Sequence, residues 1–376
     1  MRKSFILIAL PFLFGQLAEL KAISLDAWNA CNSITTANLL GVSYAKGLWV
    51  TVGEQGTILT SSDGSNWVQQ VSGTTRRLRA ITYGNGQFLA VGGDAAPPLA
   101  SRVVLASNDG TNWSTLHYVT GEVSLSAVAY AKGNYVALAS GFSSDILSSA
   151  NGSNWIVRAT VAGVMSGVIY ATNMFVAAGN TIQTSPDGIT WTQRLTADQS
   201  LRGITYGKGK FVAVGDATPS LFVTSNDGTN WLSATPISVG NLKSVSYGNG
   251  YYVAVGGGGT IVSSADGSTW TNRPSAGSNF LRSSTHGTAN FVTVADGGVV
   301  LQSGLTAPQL MNAPHSLPGT HQMTVNADVG RVYQLEASTD LVNWVRIFPF
   351  TPTAQFTAIA VSTDRFPRRF FRVSTP

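Results

Sequence analysis

Four basic side chains recur at one point of an internal pattern, and four acids recur at another. Arg79, Arg202, Lys243 and Arg282 each stand one residue into an apolar run that opens with leucine. Glu54, Asp94, Asp216 and Asp296 each stand just past the apolar run that follows. A guanidinium presents a planar fork of N–H donors that matches a carboxylate, sulfate or phosphate, and an ammonium adds a mobile point charge. Carboxylates facing such cations can orient them or accept hydrogen bonds from ligand hydroxyls. These eight residues are the candidate ligand-binding set.

Other chemistry finds little material, and no catalytic set is nominated. Serine is plentiful, but no G-x-S-x-G elbow joins a strand to a helix. His117, His286, His315 and His321 lack ligand spacing, and Cys31 is the single cysteine. No metal, cofactor or internal disulfide is therefore expected. Cys31 reads as a buried strand residue. Gly256–Gly259 is rich in glycine, but no Lys-Ser/Thr follows, so it reads as a hairpin rather than a phosphate loop.

The elements that position the eight residues come from a repeat. S-x-D-G-x-x-W occurs six times, ending at Trp67, Trp113, Trp155, Trp191, Trp231 and Trp270, with Asn151 in place of Asp in the third copy. The interval is roughly forty residues, the length of one four-stranded propeller blade. Between copies lie paired alternating runs such as LRAITYGNGQFLAVGG from Leu78, matched from Leu201 and Leu242. These predict strands joined by tight hairpins. Tyr44, Tyr83, Tyr130, Tyr170, Tyr206 and Tyr247 close the first run of six copies, and His286 closes a seventh.

The seventh copy stops near Ser303, before its fourth strand. Trp28-Asn29-Ala30-Cys31 stands at the spacing of a fourth strand ahead of Leu39, as Trp67 does ahead of Leu78. The expected fold is thus all-β: a seven-bladed β-propeller over 23–306, closed by its N-terminal strand, which removes two open sheet edges. In such blades the loop before strand one and the loop between strands two and three share a face. The eight charged residues should gather there.

The repeated turn resembles the Asp-box (BNR) repeat of sialidase-like propellers, with one residue fewer between Asp and Trp. Asp63, Asp109, Asp187, Asp227 and Asp266 then read as structural staples. The resemblance implies fold over 23–306. It leaves function open, because such propellers include glycosidases, binding proteins and assembly factors, among them one that helps to build photosystem II. A sialidase would use an arginine triad, for which Arg79, Arg202 and Arg282 are the set available. It would also need a tyrosine nucleophile with a glutamate and an acid/base aspartate. Glu54 and Glu122 are the only glutamates of the repeat region, and no F-R-I-P motif is present.

Past Ser303 the period ends. Ala307-Pro308 and Ala313-Pro314 with Pro318-Gly319 read as a linker. Alternating runs at 322–326, 332–338, 344–348, 355–361 and 369–373 predict a small β-sandwich over 307–376. YQLEASTDLVNW with FPRRFFRV resembles C-terminal modules of Verrucomicrobia-type exported proteins, themselves similar to fibronectin type III domains.

Residues 1–22 read as a bacterial signal peptide: Arg2 and Lys3, a short apolar run from Phe5, then Ala18 and Ala22. The mature chain is expected to be secreted or periplasmic, a monomer, and without an integral membrane segment. Charged residues are 11% of the chain, against about 25% in ordinary soluble proteins, and the net charge is +5. No dense basic face can be built from so few, so nucleic acid is not an expected partner. The expected partner is a polysaccharide, a glycoprotein or a protein, held on the loop face. A sialidase-like glycoside hydrolase is the alternative.

Overall fold

The computed structural model describes residues 25–31, 33–94, 100–141, 143–197, 200–216, 220–235, 237–275, 277–287, 290–304, 309–312, 320–326, 332–339, 342–351, 356–362 and 370–374. The expected signal segment, 1–22, lies outside them. Leu25–Thr306 forms one compact unit, and Ala307–Pro376 belongs to another.

Among its described residues the first unit holds seven four-stranded antiparallel sheets. Six are built from consecutive strands; the second sheet, for example, runs Leu78–Gly84, Gln87–Gly92, Ser101–Ser107 and Ser114–Thr120. Their first hairpins turn on pairs such as Asn85-Gly86 and Lys208-Gly209, both residues at positive φ. That is the twist-matched turn that asparagine and glycine favour. The seventh sheet takes Leu281–His286, Phe291–Ala295 and Val300–Ser303 from the end of the unit and Trp28–Ala30 from its start. Trp28 lies opposite Ser303 and Ala30 opposite Leu301. The first strands of the seven sheets neighbour one another in chain order, and Leu281–His286 returns to Leu39–Ala45. The fold is a β-propeller of four-stranded blades.

The core sits between the sheets. Leu89, Val91 and Val104 of the second sheet meet Leu125, Tyr135 and Leu147 of the third. Leu39, Val42 and Trp49 of the first meet Val292, Val294 and Val300 of the seventh. A sheet covered on both faces needs no polar side in its middle, so the second strands read as unbroken apolar runs: FLAV, FVAV, YVAV. At the end of six first strands a tyrosine packs edge-on or tilted against the aromatic that opens the second. Tyr83–Phe88 and Tyr206–Phe211 stand 4.9 and 4.6 Å apart, and His286–Phe291 repeats the contact at 4.7 Å.

The S-x-D-G-x-x-W turn joins strands three and four. Asp63 Oδ1 accepts from the backbone N–H of Ser65 and Asn66 at 2.8 Å each and from the Ser61 hydroxyl at 2.9 Å. Trp67 Nε1 donates to Gly64 O at 3.0 Å. The turns at Asp109, Asp187, Asp227 and Asp266 repeat the carboxylate bonds, and Asn151 Oδ1 accepts the same two backbone bonds in the third sheet. Trp28 Nε1 donates to Leu25 O at 3.0 Å, so the N-terminal segment reproduces the tryptophan half of the turn. Trp270 departs from the pattern: its ring stacks on Phe222 at 4.6 Å, and its Nε1 finds no acceptor. Cys31 lies just past the short strand and is half-buried rather than enclosed, and burial pushes its thiol up to about 12.

The second unit has two three-stranded sheets. One contains Gln309–Asn312, Thr320–Asn326 and Phe356–Ser362; the other contains Tyr333–Ser338, Val345–Phe350 and Phe370–Ser374. Met323, Val325 and Ile359 of the first share a core with Tyr333 and Leu335 of the second. Gln309–Asn312 is a correction to the expected linker: flanking prolines masked a short edge strand. No helix among the described residues is long and apolar enough to cross a membrane.

Candidate functional site

Each first strand carries a bulge at one place. The register slips between Leu39 and Gly41, Leu78 and Ala80, Leu125 and Ala127, Met165 and Gly167, Leu201 and Gly203, Leu242 and Ser244, and Leu281 and Ser283. The residues left without a ladder partner are Leu40, Arg79, Ser126, Ser166, Arg202, Lys243 and Arg282. A bulge frees a side chain from the alternation of the strand and re-aims it. The four candidate cations all stand at this position.

A second repeated device brings the carboxylates to the same face. In six of the seven sheets a carbonyl just before the first strand accepts the N–H of a residue at the end of the second; in the third, Gly141 N donates to Ser143 O instead. Glu54 N donates to Asn38 O at 2.9 Å, Asp216 N to Ser200 O at 3.0 Å, and Asp296 N to Phe280 O at 3.1 Å. In the second and sixth sheets the donors are Gly93 and Gly257, to Arg77 and Asn241. Glu54, Asp216 and Asp296 are thus equivalent positions, and Asp94 lies one residue later.

The pairing follows from this frame. Arg282 grips Asp296 through Nε and Nη2 at 2.7 Å each and stacks 4.3 Å from the centre of Phe280. Arg202 Nε meets Asp216 at 2.5 Å, and its Nη1 reaches Ser166 Oγ of the preceding sheet at 3.4 Å. Lys243 has glycine at its own acidic position, so it reaches back to both oxygens of Asp216 at 2.7 and 2.9 Å. The network crosses from the seventh to the first sheet where Gly297 N donates to Asn38 Oδ1 at 2.8 Å. Asn38 Nδ2 in turn donates to Glu54 at 3.1 Å, and Arg77 pairs with Glu54 at 2.8 Å. Arg76 pairs with Asp94 at 2.5 Å.

Arg79 is the exception. Gly93 occupies its acidic position, Arg77 has taken Glu54, and Asp94 has turned to Arg76. Its Nε is buried with no hydrogen-bond partner among the described residues. Burial and the charge of Arg77 push its pKa down, against the weaker pull of Asp94 and Glu54. Gly93 cannot be exchanged for an acid: its φ is +125°, and a Cβ there would meet Ser101 O at 1.8 Å.

Among the eight candidates, Arg202, Lys243 and Asp216 are joined directly, and so are Arg282 and Asp296. Glu54 and Asp94 are held by Arg77 and Arg76, two residues outside the candidate set. Their place just ahead of the first strand, where Asn38 and Phe280 stand, was the available sign. Arg79, Arg202 and Arg282 are not a triad of free guanidiniums, because two of them are already committed to aspartates. The repeated tyrosines stand at the far end of the first strands from the bulges, packed tilted or edge-on against the aromatic of the next strand. Of the long loops, 95–99 and 217–219 lie outside the described residues. Among the described residues no group of three metal-ligating side chains exists.

No protein-family profile matches the chain, and no curated protein matches it. Solved structures do. The chain is similar to YCF48 from Cyanidioschyzon merolae, with a TM-score of 0.58 and 18% identity, over 74% of this chain and 98% of that one. It is similar to virginiamycin B lyase from Staphylococcus aureus, with a TM-score of 0.64 and 10% identity, over 74% and 99%. The computationally designed Ika8 protein matches at 0.51 and 10%, over 73% and 98%. At these identities the likeness establishes one thing, the β-propeller fold.

Proposed function

We propose that this chain is an exported, seven-bladed, Asp-box-like propeller with a β-sandwich tail, and that it binds a partner bearing an anionic group at the loop face without converting it. The observation that carries the reading is the charge imbalance around Arg79. Arg76, Arg77, Arg79, Arg202, Lys243 and Arg282 face only Glu54, Asp94, Asp216 and Asp296. Two cations share Asp216, and among the described residues Arg79 pairs with no carboxylate. A guanidinium N–H buried without an acceptor is costly, and an incoming carboxylate or sulfate removes that cost. The partner class that follows is an acidic polysaccharide, a glycoprotein with acidic sugars, or a protein offering an acidic side chain.

The fold alone does not choose between binding and catalysis, since one similar structure is a lyase. Favouring binding, the carboxylates of the belt are tied to arginines and lysine, and no tyrosine stands beside a free glutamate. The test uses surface plasmon resonance with immobilised full chain and oligogalacturonate or heparin oligosaccharide as probes. Binding that weakens with salt and falls about tenfold or more in Arg79→Gln supports the reading. Release of sugar from a fluorogenic sialoside, lost in Arg202→Ala, overturns it in favour of a hydrolase.

A further inference from the structure

A recess lies beside the charged belt and meets it at Arg76. It is a cleft of about 810 Å³ between the first and second sheets. Gln69 and Gln70 of the outer strand Val68–Gln70 line it, as do the connection Val71–Arg76 and Gln55. Thr115 and Tyr118 of the outer strand Ser114–Thr120 form the opposite wall. Its volume is that of a site for a small ligand or a short oligomer.

The wall is polar and neutral. The side chains of Gln55, Thr75 and Thr115 are exposed and make no hydrogen bond to a described residue. Gln70 is held by a 2.8 Å bond to Thr60 Oγ1. Arg76, the single charge of the lining, is neutralised by Asp94 and donates to the Tyr118 hydroxyl at 3.3 Å. That bond fixes a ring which is itself 47% exposed.

We infer that this cleft binds a segment of a neutral polysaccharide, with one sugar ring laid on Tyr118 and its hydroxyls bonded to Gln55, Gln70 and Thr115. A primary amide offers a donor and an acceptor in one plane, the combination that neighbouring sugar hydroxyls require. An aromatic ring offers an apolar face beside a polar edge, matching the C–H face and hydroxyl rim of a pyranose. An anionic ligand would call for an unpaired cation, and Arg76 is paired. A peptide laid along the open edge of Val68–Gln70 would call for apolar pockets at alternate positions. The apolar side chains here are Val71, 84% exposed on the lip, and Val103, buried beneath. The inference goes beyond the anion-binding reading and does not rest on it.

The experiment is calorimetric titration of the full chain with cellohexaose, xylohexaose, mannohexaose and chitohexaose, all uncharged. One of them binds, with an affinity that does not change between low and high salt. Thr115→Ala and Tyr118→Ala each weaken it about five- to tenfold. Both side chains are exposed, and unchanged melting curves show that the variants fold. Failure of all four sugars to bind at millimolar concentration overturns the inference. So does sugar binding that survives the Thr115→Ala/Tyr118→Ala double variant. Peptides from a display library that lose binding in that variant, where no hexaose binds, would make the occupant a peptide instead. Uronate titration reads the belt separately: a chain that binds uronates and no hexaose sinks the cleft alone, and the converse sinks the belt alone.

Discussion

The guanidinium of Arg282 and the carboxylate of Asp296 meet in two hydrogen bonds of 2.7 Å. In the second sheet the corresponding residues are Arg79 and Gly93, and the buried Nε of Arg79 has no partner among the described residues. One repeated frame, a bulged cation facing the residue after the second strand, therefore produces both a closed ion pair and an open binding group. A group kept for a partner is one the free protein would be more stable without. Arg79→Met keeps the buried stem and removes the unpaired charge. It is expected to raise the urea midpoint, by about 0.5–1 kcal/mol of stability. It should also abolish uronate binding. A variant that loses stability would show that Arg79 is satisfied in the free protein.

Asp216 is the opposite case, one carboxylate serving Arg202 and Lys243. All three side chains are largely enclosed, with relative exposures of 21–30%. Asp216→Ala leaves two neighbouring cations without an acceptor and is expected to cost about 1–3 kcal/mol. Asp216→Asn keeps one acceptor oxygen and should cost less. Chemical denaturation of the pair decides it. Equal, negligible losses would mean that solvent already serves both cations.

Much of this frame was legible in the chain before the structure. The period of the S-x-D-G-x-x-W turn and the alternation around each Tyr set the strands, because a turn that needs glycine at positive φ leaves a fixed mark. The charges were legible in position and not in partnership. Leu-Arg-Ala reads as ordinary alternation, so the bulge at Arg79 is invisible until the ladder is drawn. Asp94 differs from its counterparts by one residue in a loop of variable length, and that single step sends it to Arg76. Gln309–Asn312 was hidden by prolines on either side. Trp270 carries the same motif as Trp67, yet Phe222 captures its ring.

Trp28 ties the two ends of the first unit together, opposite Ser303 and packed against Leu281, Phe291 and Leu301. Its ring is buried, so Trp28→Ala should cost about 3–5 kcal/mol, the usual penalty for emptying a large aromatic site. Deleting 25–30 should additionally open the edge of Val300–Ser303, and an open edge recruits other chains. Light scattering on the truncated protein checks this. A truncated chain that stays monodisperse and melts like the parent would mean that the ring does not depend on its first strand.

The turn aspartates make a prediction about acid. Burial alone would raise Asp63 and Asp266, but bonds from backbone N–H groups and neighbouring side chains outweigh it and hold each at about 2. In the unfolded chain an aspartate titrates near 3.9. The folded state therefore binds fewer protons between those values. The stability these groups supply is complete above about pH 4 and is lost as pH falls toward 2. Asn151 accepts the same backbone bonds without charge. Asp63→Asn should then cost little at pH 7 and flatten the fall in melting temperature between pH 4 and 2. Asp63→Ala, which leaves the Ser65 and Asn66 amides without their acceptor, should cost about 1–2 kcal/mol at pH 7. If Asp63→Asn is as damaging as Asp63→Ala at neutral pH, the negative charge itself, and not the accepted bonds, holds the turn.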